Sequence, residues 1–162
     1  HVSQTAPFDY VQIPRLPANS PRTIMEDREG SLWICAHHDG LIRARRTFYR
    51  TLTTDDGLPG NGIKAVSQDL SGNTWLAIQA RGLARLTPAG RVTAWSREQG
   101  MPSHDPLSVL AARDGTVWAS YGVGLVALLD GRVETYPDHR YVRIMHQDRH
   151  GNLWFGSDEA LW

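Results

Sequence analysis

Apolar residues in this chain fall in short alternating runs of four to seven positions, and the runs come in sets of four. Such period-two patterning predicts strands rather than helices. In the best-formed set, Gly62–Gln68 (GIKAVSQ) reads as a first strand and Thr74–Ile78 (TWLAI), aromatic and β-branched, as a second. Leu83–Thr87 is a third, and Arg91–Trp95 (RVTAW) alternates polar and apolar as a half-exposed outer strand should. Asp69-Leu70-Ser71-Gly72-Asn73 and Pro88-Ala89-Gly90 supply the turns between them. The next set is Leu107–Ala112, Val117–Ser120, Leu125–Leu129 and Arg132–Tyr136, with Asp130-Gly131 as a tight hairpin turn. An earlier set is Thr23–Glu26, Leu32–Ala36, Leu41–Arg45 and Phe48–Leu52. A last one holds Tyr141–Gln147 and Leu153–Gly156 and stops at Leu161-Trp162. No helix of useful length is suggested.

The sets are copies of one unit. Trp33, Trp75, Trp118 and Trp154 recur at spacings of 42, 43 and 36 residues, each with a glycine three positions earlier (Gly30, Gly72, Gly115, Gly151). Asp27, Asp69 and Asp148 stand six positions before their tryptophans, whereas the third copy has Ala112 there and Asp114 nearby. Gly-Leu follows in three copies (Gly40-Leu41, Gly82-Leu83, Gly124-Leu125) and Ala160-Leu161 in the fourth. A strand-rich repeat with a period near 40 predicts a β-propeller in which each copy is one blade. The fold class expected is therefore all-β, with about four four-stranded antiparallel blades. The expected division is the last strand of a preceding blade at 8–13 (FDYVQI), blades at 21–52, 62–96 and 106–136, and an incomplete blade at 141–162. Such a set reads as part of a larger ring, as a small ring closed by the 8–13 strand, or as half of a ring made by two chains.

Composition narrows the function classes. Lys+Arg and Asp+Glu are both 17, so there is no net charge to attract nucleic acid or an anionic membrane. No apolar run approaches the roughly 20 residues that span a bilayer, and no leader peptide is visible. The chain opens at His1 and reads as a piece of something longer. Its one cysteine, Cys35, excludes an internal disulfide and fits a small strand filler.

Function is expected on loops, because antiparallel blades send alternate connections to opposite faces. One face carries the short Asp-Gly turns. Their aspartates repeat in register, which argues for turn capping rather than catalysis. The opposite face carries His37, His38 and Asp39, then Gln79 and Arg81, Tyr121, and Asp158-Glu159; its linkers add Asn61, His104, Asp105, His139 and Arg140. These side chains suit hydrogen bonding to a polar or polyhydroxylated small molecule on a rigid scaffold. No metal site and no cofactor are expected: adjacent His37 and His38 would point to opposite sides of a strand end, and the other histidines follow no ligand spacing. No serine or cysteine nucleophile motif occurs, and Gly60-Asn61-Gly62 lacks the lysine and helix of a phosphate loop.

Gly-Asn-Leu-Trp-Phe-Gly-Ser at 151–157, with Asp148 ahead of it, resembles the two-component regulator propeller repeat. So do Asp69, Gly72-Asn73, Trp75 and Gly82-Leu83, and the linkers Gly57-Leu58-Pro59 and Gly100-Met101-Pro102. The third copy departs at Ala112, at Tyr121-Gly122 and at Tyr136-Pro137-Asp138, which replaces the Gly-Leu-Pro element. The resemblance implies a non-catalytic segment of a periplasmic sensor in a histidine kinase system, recognising extracellular ligands, often saccharides. The remaining readings are a scaffold that binds a protein or its own copy through the propeller, and a fragment of a polysaccharide-acting enzyme.

Overall fold

The structure, a computed structural model, describes residues 21–36, 40–44, 49–158 and 160–162. The 8–13 strand and the candidates His37, His38 and Asp39 lie outside the described residues. Four antiparallel sheets follow one another along the chain. The first is β1 (Pro21–Glu26), β2 (Leu32–Ala36), β3 (Gly40–Ala44) and β4 (Tyr49–Leu52). The second is β5 (Ile63–Gln68), β6 (Thr74–Ile78), β7 (Gly82–Leu86) and β8 (Val92–Trp95). The third is β9 (Pro106–Ala111), β10 (Val117–Tyr121), β11 (Gly124–Leu129) and β12 (Arg132–Tyr136). The fourth pairs β13 (Ile144–Gln147) with β14 (Leu153–Gly156), and Leu161 begins a third strand by bridging to Gly156. Each sheet is a meander in chain order. The first strands of successive sheets pack together, β1 on β5, β5 on β9 and β9 on β13. This is the inner-strand arrangement of a β-propeller.

Strand alternation explains the stacking. Trp75 and Ala77 on β6 face the third blade and join Val109, Val117, Ala119 and Tyr121. Leu76 and Ile78, one position along, face the first blade and join Trp33, Cys35 and Ile63. A second strand buried on both faces must be almost wholly apolar, hence TWLAI, in which only Thr74 is polar. Each such large side chain contributes ~2 kcal/mol by leaving water.

The linkers are equally determined. Thr53 with Asp56, and Ser96 with Gln99, form capping boxes around single 3-10 turns at Thr54–Asp56 and Arg97–Gln99. Gly57 (φ 93°) and Gly100 (φ 90°) end those turns in the left-handed region. The residues that follow, Leu58 and Met101, drop into the two inter-blade cores. The Gly-Leu element has a steric origin: a Cβ on Gly40, Gly82 or Gly124 would collide with the carbonyl oxygen of Leu52, Trp95 or Tyr136 on the neighbouring outer strand.

One strand boundary departs from the sequence pattern by several residues. The fourth blade's first strand begins at Ile144, not Tyr141, because Tyr141 takes φ 53° and cannot continue an extended chain.

Candidate functional site

The turn face is organised by one recurring contact. In the first blade Asp27 Oδ1 accepts the amides of Glu29 (3.0 Å) and Ser31 (2.7 Å), while Oδ2 accepts the Trp33 indole N–H at 2.8 Å. Asp69 repeats this with the Ser71 and Asn73 amides and the Trp75 indole at 2.9 Å. Asp148 does so with the His150 and Asn152 amides and the Trp154 indole at 3.2 Å. The six-residue spacing thus lets one carboxylate close the turn and fix the indole of the next strand.

These hydrogen bonds govern ionisation. Burial works to raise the Asp27 pKa, but the Ser31 amide, Trp33 indole, Glu29 amide and Arg43 charge together hold it below the ordinary value. Burial also opposes ionisation of Asp69, and donation by Asn73, Trp75 and Ser71 again wins. For Asp148, donation from the Asn152 side chain leads and the carboxyl falls to about 2. All three are saturated anions with structural partners.

The third blade lacks the contact. With Ala112 in place of aspartate, the turn keeps its backbone bonds, Ala112 N–H to Thr116 O and Gly115 N–H to Ala112 O. Asp114 accepts the Thr116 amide at 2.9 Å but does not reach the indole, and Trp118 Nε1 is buried without a partner among the described residues. Trp118 packs instead on Tyr136 and Phe155, each 5.5 Å away between ring centres.

On the opposite face the sequence candidates separate into two groups. Between the second and third blades, Asp105 Oδ1 accepts from Lys64 Nζ at 2.8 Å and from the Ala80 amide at 3.3 Å. The Gly82 amide donates to the His104 carbonyl at 2.8 Å. The linker holding His104 and Asp105 is therefore bound to the loop holding Gln79 and Arg81. Gly60 leaves room for the aliphatic stem of Arg81 to lie across it. Arg81 and His104 are exposed, and their side chains make no hydrogen bond among the described residues. Gln79 is exposed as well, in the turn that follows β6, and its backbone amide donates to the Gly62 carbonyl at 2.8 Å.

Between the third and fourth blades, Arg140 Nε donates to the Pro137 carbonyl at 3.3 Å, and the half-buried His139 ring meets Trp162 edge-on at 5.4 Å. Tyr121 requires correction. It is no loop residue: it ends β10, its side chain is fully buried, and burial pushes its phenol pKa far up. The chain alternation that places Ala119 in the core places Tyr121 there too. Sequence reading missed three residues on this face. Lys64 pairs with Asp105, Arg143 donates to both Asp158 oxygens at 3.0 and 3.1 Å, and the exposed Tyr141 ring lies over Gly122. Only the short third linker hinted that Tyr141 would leave its strand. Cys35 is buried, and burial raises its thiol pKa to about 12, so it is inert. Among the described residues no group of three or more His, Cys, Asp or Glu is placed to hold a metal. No helix among them is long and apolar enough to cross a membrane.

Inner first strands, indole plates and a rigid loop face define a β-propeller segment built to present varied loops. Residues 15–38 and 135–159 match the two component regulator propeller family. Among solved structures, it is similar to the extracellular domains of two B. thetaiotaomicron proteins. One is described as a hybrid two component system (21% identity, TM-score 0.71) and the other as a one component system (18%, TM-score 0.72). The alignments cover 83% and 87% of this chain but only 20% and 22% of those domains. It is also similar to a catalytically inactive virginiamycin B lyase from Staphylococcus aureus crystallised with quinupristin (16% identity, TM-score 0.72), over 91% of this chain and 52% of the lyase. Among curated proteins none matches. The propeller fold thus recurs in sensors and enzymes alike, and function has to be argued from residues.

Proposed function

We propose that this chain is a non-catalytic, ligand-sensing segment of an extracytoplasmic propeller in a two-component signalling protein. The ligand class is a polar small molecule, with saccharides first. The observation that carries this is that Arg81 and His104, two exposed side chains without hydrogen-bond partners among the described residues, stand on loops that Asp105 and the Gly82 amide lock together. An unpaired donor set held rigidly loses little entropy on binding. Commitment of Asp27, Asp69 and Asp148 to turn amides and indoles supports the non-catalytic reading, since none is left to move a proton. The extracellular setting of the B. thetaiotaomicron neighbours supports the location.

Calorimetric titration with a panel of neutral oligosaccharides tests the site. Arg81→Ala and His104→Ala are each expected to weaken a confirmed ligand about tenfold, the effect of losing one hydrogen bond to a charged or polar group. Unchanged affinity in both variants would overturn the assignment. Fusion of the parent protein to alkaline phosphatase, active only outside the cytoplasm, tests the location.

An alternative reading is self-association. The outer face of the fourth blade exposes Ile144 (71%), Leu161 (70%) and Trp154 (43%), and no blade among the described residues covers them. An apolar surface of this kind favours a further blade or another copy of the chain.

A further inference from the structure

The first two blades place an arginine identically and then treat it differently. Arg43 lies opposite Trp33 on the adjacent strand, and Arg85 lies opposite Trp75. Arg43 Cζ sits 5.0 Å from the Trp33 ring centre, and its Nη2 donates to Asp27 at 3.2 Å and Glu29 at 2.7 Å. Arg85 has more aromatic cover and no carboxylate. Its Cζ is 5.7 Å from the rings of both Trp75 and Trp95, whose centres are 5.1 Å apart.

Two residue changes account for the missing partners. Ser71 stands where the first blade has Glu29. Asn73 stands where the first blade has Ser31, and its Nδ2 donates to Asp69 Oδ2 at 2.8 Å. That oxygen corresponds to the one Arg43 uses on Asp27. Arg85 forms no hydrogen bond or ion pair among the described residues, and its Nε is buried without a partner.

The Arg85 guanidinium borders a cleft of about 340 Å³ between the second and third blades, walled by Trp75, Trp95, Val117 and Leu128. Arg113 lines it as well, with Nη1 donating to the Arg149 carbonyl at 3.2 Å. Asp69 and Asp130 line it too, neither pairing with Arg85, and Asp69 is taken up by the Asn73 and Trp75 donors. A guanidinium held by indoles keeps its planar fork oriented, and that fork matches a carboxylate bidentately. Partial burial strengthens the attraction, since water competes less.

We infer that this cleft is a binding site for the carboxylate of a small organic acid with an apolar body, received by Arg85 and covered by the two indoles. It lies on the turn face, opposite Arg81 and His104, and stands independently of any saccharide site there. The test follows the Arg85 Nε–H and the Trp75 and Trp95 indole N–H resonances by NMR at constant ionic strength. Benzoate is titrated against benzamide, which has the same ring and no charge. Saturable shifts with benzoate alone are expected, and Arg85→Gln should weaken them at least tenfold. Ser71→Glu, at an exposed turn position, supplies the carboxylate found in the first blade and should suppress benzoate binding in a folded protein. Benzamide acting like benzoate, no saturable shift with benzoate, or full benzoate affinity in Ser71→Glu would each overturn the inference.

Discussion

At the residue scale, the aspartate six positions before the tryptophan in three of the blades does two things with one carboxylate. It satisfies turn amides that would otherwise face a partly dry interior, and it holds an indole N–H that has no other acceptor. Removing it leaves several donors unpaired at once, which is why Asp69→Ala is expected to cost ~2–3 kcal/mol, read as a lowered urea midpoint at unchanged slope. The third blade is the natural counterpart of that mutant. Its Trp118 N–H is already orphaned, so Ala112→Asp is expected to stabilise by ~1 kcal/mol. No change in midpoint would mean that the buried N–H is satisfied by other means. The sequence announced the aspartate, the glycine and the tryptophan of this unit by their repetition. It did not announce that the aspartate binds the indole, because the two become neighbours only when the hairpin closes.

At the element scale, strands were readable because a blade strand buried on one or both faces must be apolar at fixed parity. The second strands and the Gly-Leu elements are where this reading was sharpest. Gly82 and Gly90 separate two reasons for a glycine: their φ values are 83° and 84°, but a Cβ meets the Trp95 carbonyl at Gly82 and nothing at Gly90. Gly90→Ala is expected to cost ~1 kcal/mol from the left-handed conformation alone. Gly82→Ala should cost ~3 kcal/mol or more, because the outer strand must also move. Equal losses in thermal unfolding would show that backbone conformation is the whole cause. Tyr121 and Tyr141 mark where parity failed as a guide. Tyr121 stands where the pattern predicts a loop and is core, since β10 runs one residue further. Tyr141 stands where the pattern predicts a strand and is an exposed ring, since its left-handed φ breaks the strand before Ile144.

At the scale of the whole molecule, the three depressed carboxyls act together. Each has a folded pKa below its unfolded value of ~3.9, so the unfolded chain binds more protons in acid and folding stability rises with pH there. The stability they confer is full above about pH 4 and is lost as pH falls through the folded values, about 2 for Asp148. Urea midpoints measured from pH 6 down to 2 should fall within that window, and less steeply in Asp69→Asn. The blades also make a directional stack, in which each indole face receives the next blade. Trp33 and Trp75 are covered in this way, whereas Trp154 is not. Sedimentation of the isolated chain is expected to show association, and Ile144→Lys with Leu161→Lys should return it to monomer. A monomeric wild type would remove the self-association reading.

The amino-acid sequence by itself determined that this protein is a stack of antiparallel blades, because apolar parity, turn glycines and a recurring indole are local requirements that every copy must meet. Which charged groups stay free was decided only by the tertiary structure. Lys64 and Asp105 neutralise each other across two blades, Asn73 takes the oxygen that Arg85 would have used, and Arg81 and His104 keep open donors. Pairing of side chains distant in sequence depends on how neighbouring sheets meet, and no spacing along the chain encodes it.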